Sequence, residues 1–154
     1  MKVRITVGEQ EKLNGYTNVA PITKFDGLSI DIRNLDDLVS DAECTEIISE
    51  GVIDYLNKDD LVLSITNWVK KMRHGGKIVV TSIDALEVAK AFAKQKIDID
   101  TFNKAIHGGF SQGWDIFLNH TTIEELSSVL EKLGLFVTKK RINGIKLIVE
   151  AQRP

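Results

Sequence analysis

The chain has 154 residues, enough for one domain over 1–154 with a substantial core, and its 43% hydrophobic and 27% charged residues are ordinary globular composition. Twenty Lys and Arg against 22 Asp and Glu leave a formal charge of −2, which excludes a strong general affinity for nucleic acid but not a nucleic-acid substrate. The single Cys44 excludes an internal disulfide and suits a reducing, cytoplasmic setting; Arg4 and Glu9 interrupt any apolar run near the start, and no stretch approaches a membrane-spanning length.

Lys2 to Val7 alternates weakly and predicts a strand that breaks at Gly8, followed by a polar loop from Glu9 to Gly15. Tyr16 to Val19 and Leu28 to Asp31 predict two further short strands, the first stopped by Ala20-Pro21. Leu35 to Leu38 reads as a turn or brief helix, and Glu46 to Ser49 as a fourth strand. Leu61, Ile65, Trp68, Val69 and Met72 then mark one face of a long helix, with Asn57 and Asp60 spaced as a capping box. Gly75-Gly76 predicts a left-handed stop and a tight reversal, and Lys77 to Thr81 a β-branched strand buried on both faces.

Asp84 and Glu87 open a second helix to about Lys94, with Leu86, Val88, Ala89, Phe92 and Ala93 as its apolar set, and a shorter helix spans Asp100 to His107. After the glycine-rich loop Gly108 to Gly113 and Trp114, Thr122 and Glu125 cap a helix striped by Leu126, Val129, Leu130 and Leu133 and ended by Gly134. Phe136 to Arg141 and Ile145 to Ala151 form a hairpin about Asn143-Gly144. The expectation is an α/β fold, Rossmann-like: a mostly parallel sheet with helices on both faces and a C-terminal antiparallel hairpin.

That order of elements resembles the class I S-adenosylmethionine (AdoMet) methyltransferases, as a small, minimal branch of that superfamily. Gly15-Tyr-Thr-Asn-Val-Ala20 matches the family's second strand, and Ile30-Asp31-Ile32-Arg33 the residues after the third. Ser49 to Leu56 corresponds to the segment after the fourth strand, Met72 to Ile78 to the L-x-P-G-G-x-L turn, and Ile83-Asp84 to the pair after the fifth strand. Glu125 to Phe136 resembles the last helix, and Val149 to Pro154 the terminal strand. The resemblance covers essentially the whole chain.

It implies AdoMet across the carboxyl ends of the first strands, with Gly8, Glu9, Ala20, Asp31, Ile32, Glu50 and Gly51 as the cofactor-binding positions. The chain departs from the family pattern at three places. Val7-Gly8-Glu9-Gln10 holds one glycine where the family has two or three, and Glu9 would face the cofactor's own carboxylate. Ala20 stands where an acid normally accepts both ribose hydroxyls. Charge-assisted hydrogen bonds contribute roughly 1.5–3 kcal/mol each, so its loss costs about a hundredfold in affinity or more. The family's Glu-His pair after the fourth strand is here Asp54-Tyr55.

His107, His120 and Asp84 are the candidate catalytic residues: the histidines flank the glycine-rich loop, where a general base would reach a substrate hydroxyl or amine, though a surface helix end explains both equally. Trp114 is suited to stack on a planar ligand or to pack in a core or interface, and His74 to a surface turn. Three scattered histidines and one cysteine match no metal-ligand spacing. Two functions fit: an AdoMet-dependent methyltransferase, and a methyltransferase fold without activity that serves as an interaction or structural module in an oligomer or larger assembly. The methyl acceptor stays open among small molecule, sugar, protein and nucleic acid.

Overall fold

Seven strands are present in the computed structural model, which describes residues 1–8, 10–22 and 26–154: β1 Lys2–Ile5, β2 Thr17–Ala20, β3 Leu28–Ser29, β4 Cys44–Glu50, β5 Met72–Ile83, β6 Phe136–Asn143 and β7 Lys146–Gln152. They form one sheet in the order β3-β2-β1-β4-β5-β7-β6. The first five run parallel; β7 inserts antiparallel beside β5 and pairs with β6 through a turn at Gly144, whose φ is 64°. The expected α/β sheet with its closing hairpin is present.

Four α-helices accompany it among the described residues: α1 Lys58–Lys71, α2 Ala85–Ala93, α3 Ile99–His107 and α4 Ile123–Lys132. Each starts where the sequence places a side-chain acceptor. Asn57 Oδ1 takes the Asp60 N–H at 2.8 Å, Asp84 Oδ1 the Glu87 N–H at 3.0 Å, and Thr122 Oγ1 the Glu125 N–H at 3.2 Å, each satisfying an amide that the first helical turn leaves free. Asp98 does the same for α3 by accepting from Thr101 N at 2.8 Å.

Side chains along a strand alternate between faces, and here the alternation sorts the sheet sharply. Val3, Ile5, Ile47, Ile78, Val80, Leu147 and Val149 are fully buried and share one cluster with Leu61, Ile65 and Trp68 of α1 and Leu126 and Leu130 of α4. Trp68 also donates its indole N–H to Ile32 O at 2.7 Å, which ties the loop before β4 onto that layer. The connection from β3 to β4, with Ile32, Leu35 and Val39, packs into the same cluster. Helices α2 and α3 stack on each other through Phe92 and Phe102, ring centres 4.6 Å apart.

Three local expectations change. The central strand is not buried on both faces: Ile78 and Val80 are, while Lys77, Val79 and Thr81 are half-exposed, because α1 and α4 lie on one side only. Nor do the paired glycines end the helix. α1 stops at Lys71, Met72 is already extended, and Gly75 and Gly76 sit inside β5. A Cβ on Gly76 would come within 2.8 Å of Arg73 O and 2.9 Å of Cys44 O, so glycine is needed for this irregular crossing beside the shifted register of β4. In α2 the expected apolar set is only partly inside: Val88 is buried, whereas Leu86 and Phe92 are exposed.

Candidate functional site

The direction of the chain through the sheet reverses between β1 and β4. From β1 the chain passes to β2 on one side; from β4 it passes to β5 on the other. Where two neighbouring parallel strands send their connections apart, a crevice opens at their carboxyl ends, and open α/β sheets bind ligands there. Two cavities occupy this position. One, of about 710 Å³, is lined by Gly8, Glu50, Gly51, Asp54 and Thr81; the other, of about 670 Å³, by Pro21, Ile30, Asp31, Ile32, Asn57 and Asp60. Val7, Tyr55 and Trp114 line both. They are the two halves of one groove, parted by the Trp114 indole.

Trp114 is placed by a loop built around one carboxylate. Gly108, at φ 98°, and Gly109 have no Cβ; one there would meet Asp115 O at 2.7 Å and Asp115 Oδ2 at 2.6 Å. That close approach lets Ser111 donate both its backbone N–H, at 3.1 Å, and its hydroxyl, at 2.6 Å, to Asp115 Oδ2. Tyr55 donates its hydroxyl to Oδ1 at 2.7 Å. The Ser111 hydroxyl, then the Tyr55 hydroxyl, hold the Asp115 carboxyl below the usual range against the opposing effect of burial. Burial and the facing carboxylate push the Tyr55 phenol up. Tyr55 then meets the Trp114 ring edge-on at 5.8 Å and Phe117 at 4.9 Å. So braced, the Trp114 ring lies over Gly8, where a Cβ would be 3.0 Å from its Cη2.

Beneath the larger half sits Asp54, 2% exposed, on the 3₁₀ turn that follows β4. Its Oδ1 accepts from Ser82 Oγ at 2.7 Å and its Oδ2 from Ile83 N at 3.3 Å. Burial pushes this carboxyl above its ordinary value, and those two hydrogen bonds only partly offset it. His120 Nδ1 is 3.9 Å from Asp54 Oδ1 and has no hydrogen bond of its own, while its Nε2 faces Ile106 O at 2.5 Å. A carbonyl accepts only, so Nε2 carries a hydrogen, and Nδ1 is the ring nitrogen that faces Asp54.

The residues singled out by sequence fall into three groups. Gly8, Glu50, Gly51, Asp31 and Ile32 do line the groove, although Ile32 is 3% exposed and mainly packs in the core. Glu50 is paired with Arg4 Nη2 at 2.7 Å, and Gly51, at φ 61°, donates its N–H to Thr81 O at 3.0 Å. Asp31 is exposed and takes two hydrogen bonds from the Arg33 guanidinium, at 2.9 Å each, which lower its carboxyl pKa. Ala20 is fully buried at the end of β2, and Glu9 lies outside the described residues.

The three catalytic candidates line neither half. Asp84 caps α2 and also accepts from Ile123 N at 2.8 Å, so one carboxylate joins the starts of two helices. His107 is exposed at the end of α3, and His120 reaches the groove only through Asp54. His74 is exposed, with its Nδ1 2.6 Å from Pro154 O. Asp54 and Tyr55, which replace the family's Glu-His pair, and Trp114, read as suited to stack on a planar ligand, do line the groove. Asp115 is what the sequence reading did not single out, because its place in the loop rests on contacts with Tyr55 and Ser111 that no local pattern announces.

No protein-family model matches the sequence, and no curated protein matches it. Solved structures do match. An O-methyltransferase family protein from Burkholderia thailandensis superposes with a TM-score of 0.57 at 13% identity, over 84% of this chain and 36% of its own length. A SAM-dependent methyltransferase from Methanosarcina mazei gives 0.60 at 14%, over 84% and 68%. The 1,6-didemethyltoxoflavin-N1-methyltransferase of Burkholderia thailandensis, solved with 1,6-didemethyltoxoflavin and S-adenosylhomocysteine bound, gives 0.60 at 10%, over 90% and 62%. The chain therefore spans about a third of the first and about two thirds of the other two. At such identities the likeness is one of fold: the chain has the class I AdoMet-dependent methyltransferase fold.

Proposed function

We propose that the chain is an AdoMet-dependent methyltransferase whose cofactor groove is closed by Trp114 and opens when the 108–118 loop swings out. The observation that carries this reading is the groove's position, at the switch between β1 and β4, with a glycine at its narrowest point. The smaller half offers the apolar Pro21, Ile30 and Leu118 beside the polar Asp31, Asn57 and Asp60, a mixture suited to a nucleoside. The larger half, beside Gly8 and Glu50, has room for the amino-acid end and for an acceptor. A ligand spanning both must cross Gly8, where Trp114 now lies.

Bound AdoMet would supply an electrophilic methyl group on a sulfonium. What the protein must add is alignment and exclusion of water, since in-line transfer needs few catalytic groups. Tyr55 and Trp114 supply the walls. Asp54, with its carboxyl raised by burial and His120 behind it, is the group set to receive an acceptor's proton at the floor of the larger half.

Calorimetric titration with AdoMet and S-adenosylhomocysteine tests the reading, on the wild type and on Trp114→Ala. Binding by both, tighter in the variant, supports it. Trp68 is fully buried and Trp114 is 40% exposed, so ligand entry should also alter the emission of the one tryptophan in the groove. Silence in both proteins, and in Ala20→Asp, favours the second reading, an inactive fold used as an assembly module; Ala20 in place of a ribose-binding acid is the observation on that side.

A further inference from the structure

We infer that the uncovered face of the sheet is a docking surface for an acidic amphipathic helix of a partner protein. Parallel strands are normally covered on both faces. Here α1 and α4 pack on one face, and the half-exposed Ile48, Val79 and Ile148 of the other belong neither to the core nor to the residues packed against it. Right-handed crossovers put the β1–β2 connection on the opposite face from α1. That connection contains no helix among its described residues; Gln10 and Glu11 meet Arg4 at its margin. The region over β4, β5 and β7 is left open.

Its geometry suits one helix. Strand pairing sets Ile48 beside Val79, and Thr81 beside Ile148, so the aliphatic band crosses three adjacent strands. Three strands span about 10 Å at ~4.8 Å spacing, close to the diameter of a helix with its side chains. The band holds no aromatic ring, so it lacks the stacking platforms that single-stranded nucleic acids use. Ile48, Val79, Thr81 and Ile148 all line the 710 Å³ cavity as well, so a docked helix would fill the part of that cavity over β4, β5 and β7 and leave the end beside Gly8 and Glu50 to the ligand.

The charges around the band select the occupant. By register this face presents Lys2, Arg4, Lys77, Lys139, Arg141 and Lys146 against Glu46, Glu50 and Glu150, in a chain whose formal charge is −2. Lys2 and Lys77 share Glu46, at 3.2 and 3.0 Å, and Arg4 and Arg141 take Glu50 and Glu150. Lys139 and Lys146 form no ion pair with the described residues. The surplus is positive, so the complementary helix carries acids along its flanks.

Two designed 18-residue amphipathic peptides provide the test, one with glutamates and one with lysines flanking a leucine face, titrated by fluorescence anisotropy at low and high salt. The glutamate peptide should bind, more weakly as salt rises, and the lysine peptide should not. Val79→Glu should weaken binding at least tenfold, and Val62→Glu, on the exposed side of α1, should leave it unchanged. Lys139→Glu with Lys146→Glu alters only surface positions and should reduce binding several-fold in a folded protein. Equal binding of both peptides, binding of neither, or indifference to Val79→Glu and to the lysine reversals overturns the proposal. So does sedimentation showing a dimer of this chain that Val79→Glu dissolves, since the occupant is then a second copy.

Discussion

Ile47 and Ile48 are consecutive residues of one strand, yet they belong to two different kinds of surface. Ile47 is fully buried under α1 in a layer of apolar side chains, whereas Ile48 is half-exposed on a face ordered by ion pairs among Lys2, Arg4, Glu46, Glu50 and Lys77. The first face obtains its stability from the removal of apolar area from water, and the second from contacts that water and salt weaken. One face therefore holds the fold together, and the other is free to serve something else.

Aspartate at each position gives the largest expected contrast. Ile47→Asp would bury an unpaired carboxylate, a cost of several kcal/mol that should leave the protein unfolded in the absence of denaturant. Ile48→Asp would stand in register beside Arg4, in partial contact with water, and should cost about 1 kcal/mol or less. Urea titration followed by circular dichroism distinguishes them, and equal losses would mean that the second face is covered after all.

The groove contains a comparison on the same lines, between a carboxylate that hydrogen bonds favour as an anion and one that burial opposes. Asp115, lowered by Ser111 and Tyr55, adds stability that is present above its unfolded pKa and is lost as pH falls through its folded value. Asp115→Asn should therefore lower the melting temperature at pH 7 and change it little near pH 2. It should also release Trp114 from Gly8, seen as a red-shifted, more quenchable emission. Asp54 acts in the opposite sense: its raised pKa favours the fold at low pH, and that contribution fades as pH rises through the folded value. Asp54→Asn should remove this decline, flattening the melting temperature as pH rises above the usual carboxylate range, and as a change to the proposed proton acceptor it should lower turnover without abolishing ligand binding.

How far the sequence could reveal these features depends on the range of the interactions behind them. Helix starts were readable because a cap is a contact over three residues, as with Asn57, Asp84 and Thr122. The hairpin was readable because Asn143-Gly144 is a local turn. The paired glycines misled because Gly76 answers to Cys44 O, 32 positions away, and not to the helix before it. The open face was hidden for a related reason. Lys77 to Thr81 is a β-branched run whichever side is covered, and coverage depends on whether the β1–β2 connection forms a helix. Trp114 over Gly8 joins residues 106 apart, with no pattern linking them in the chain.

The smallest expected effect tests whether the ion pairs of the open face hold the sheet or only decorate it. Arg141 and Glu150 pair at 3.0 Å across β6 and β7, with side chains 57% and 14% exposed. An exposed pair of this kind is worth about 0.2–1 kcal/mol, because water screens the attraction and two long side chains must be ordered to make it. Arg141→Gln should therefore shift the urea midpoint slightly at low salt and not measurably in 1 M NaCl, where the Debye length is about 3 Å. A larger, salt-independent loss would mean that Arg141 is held by apolar packing of its stem over Ile148, its neighbour in register, and that the open face contributes to the core through its side-chain stems.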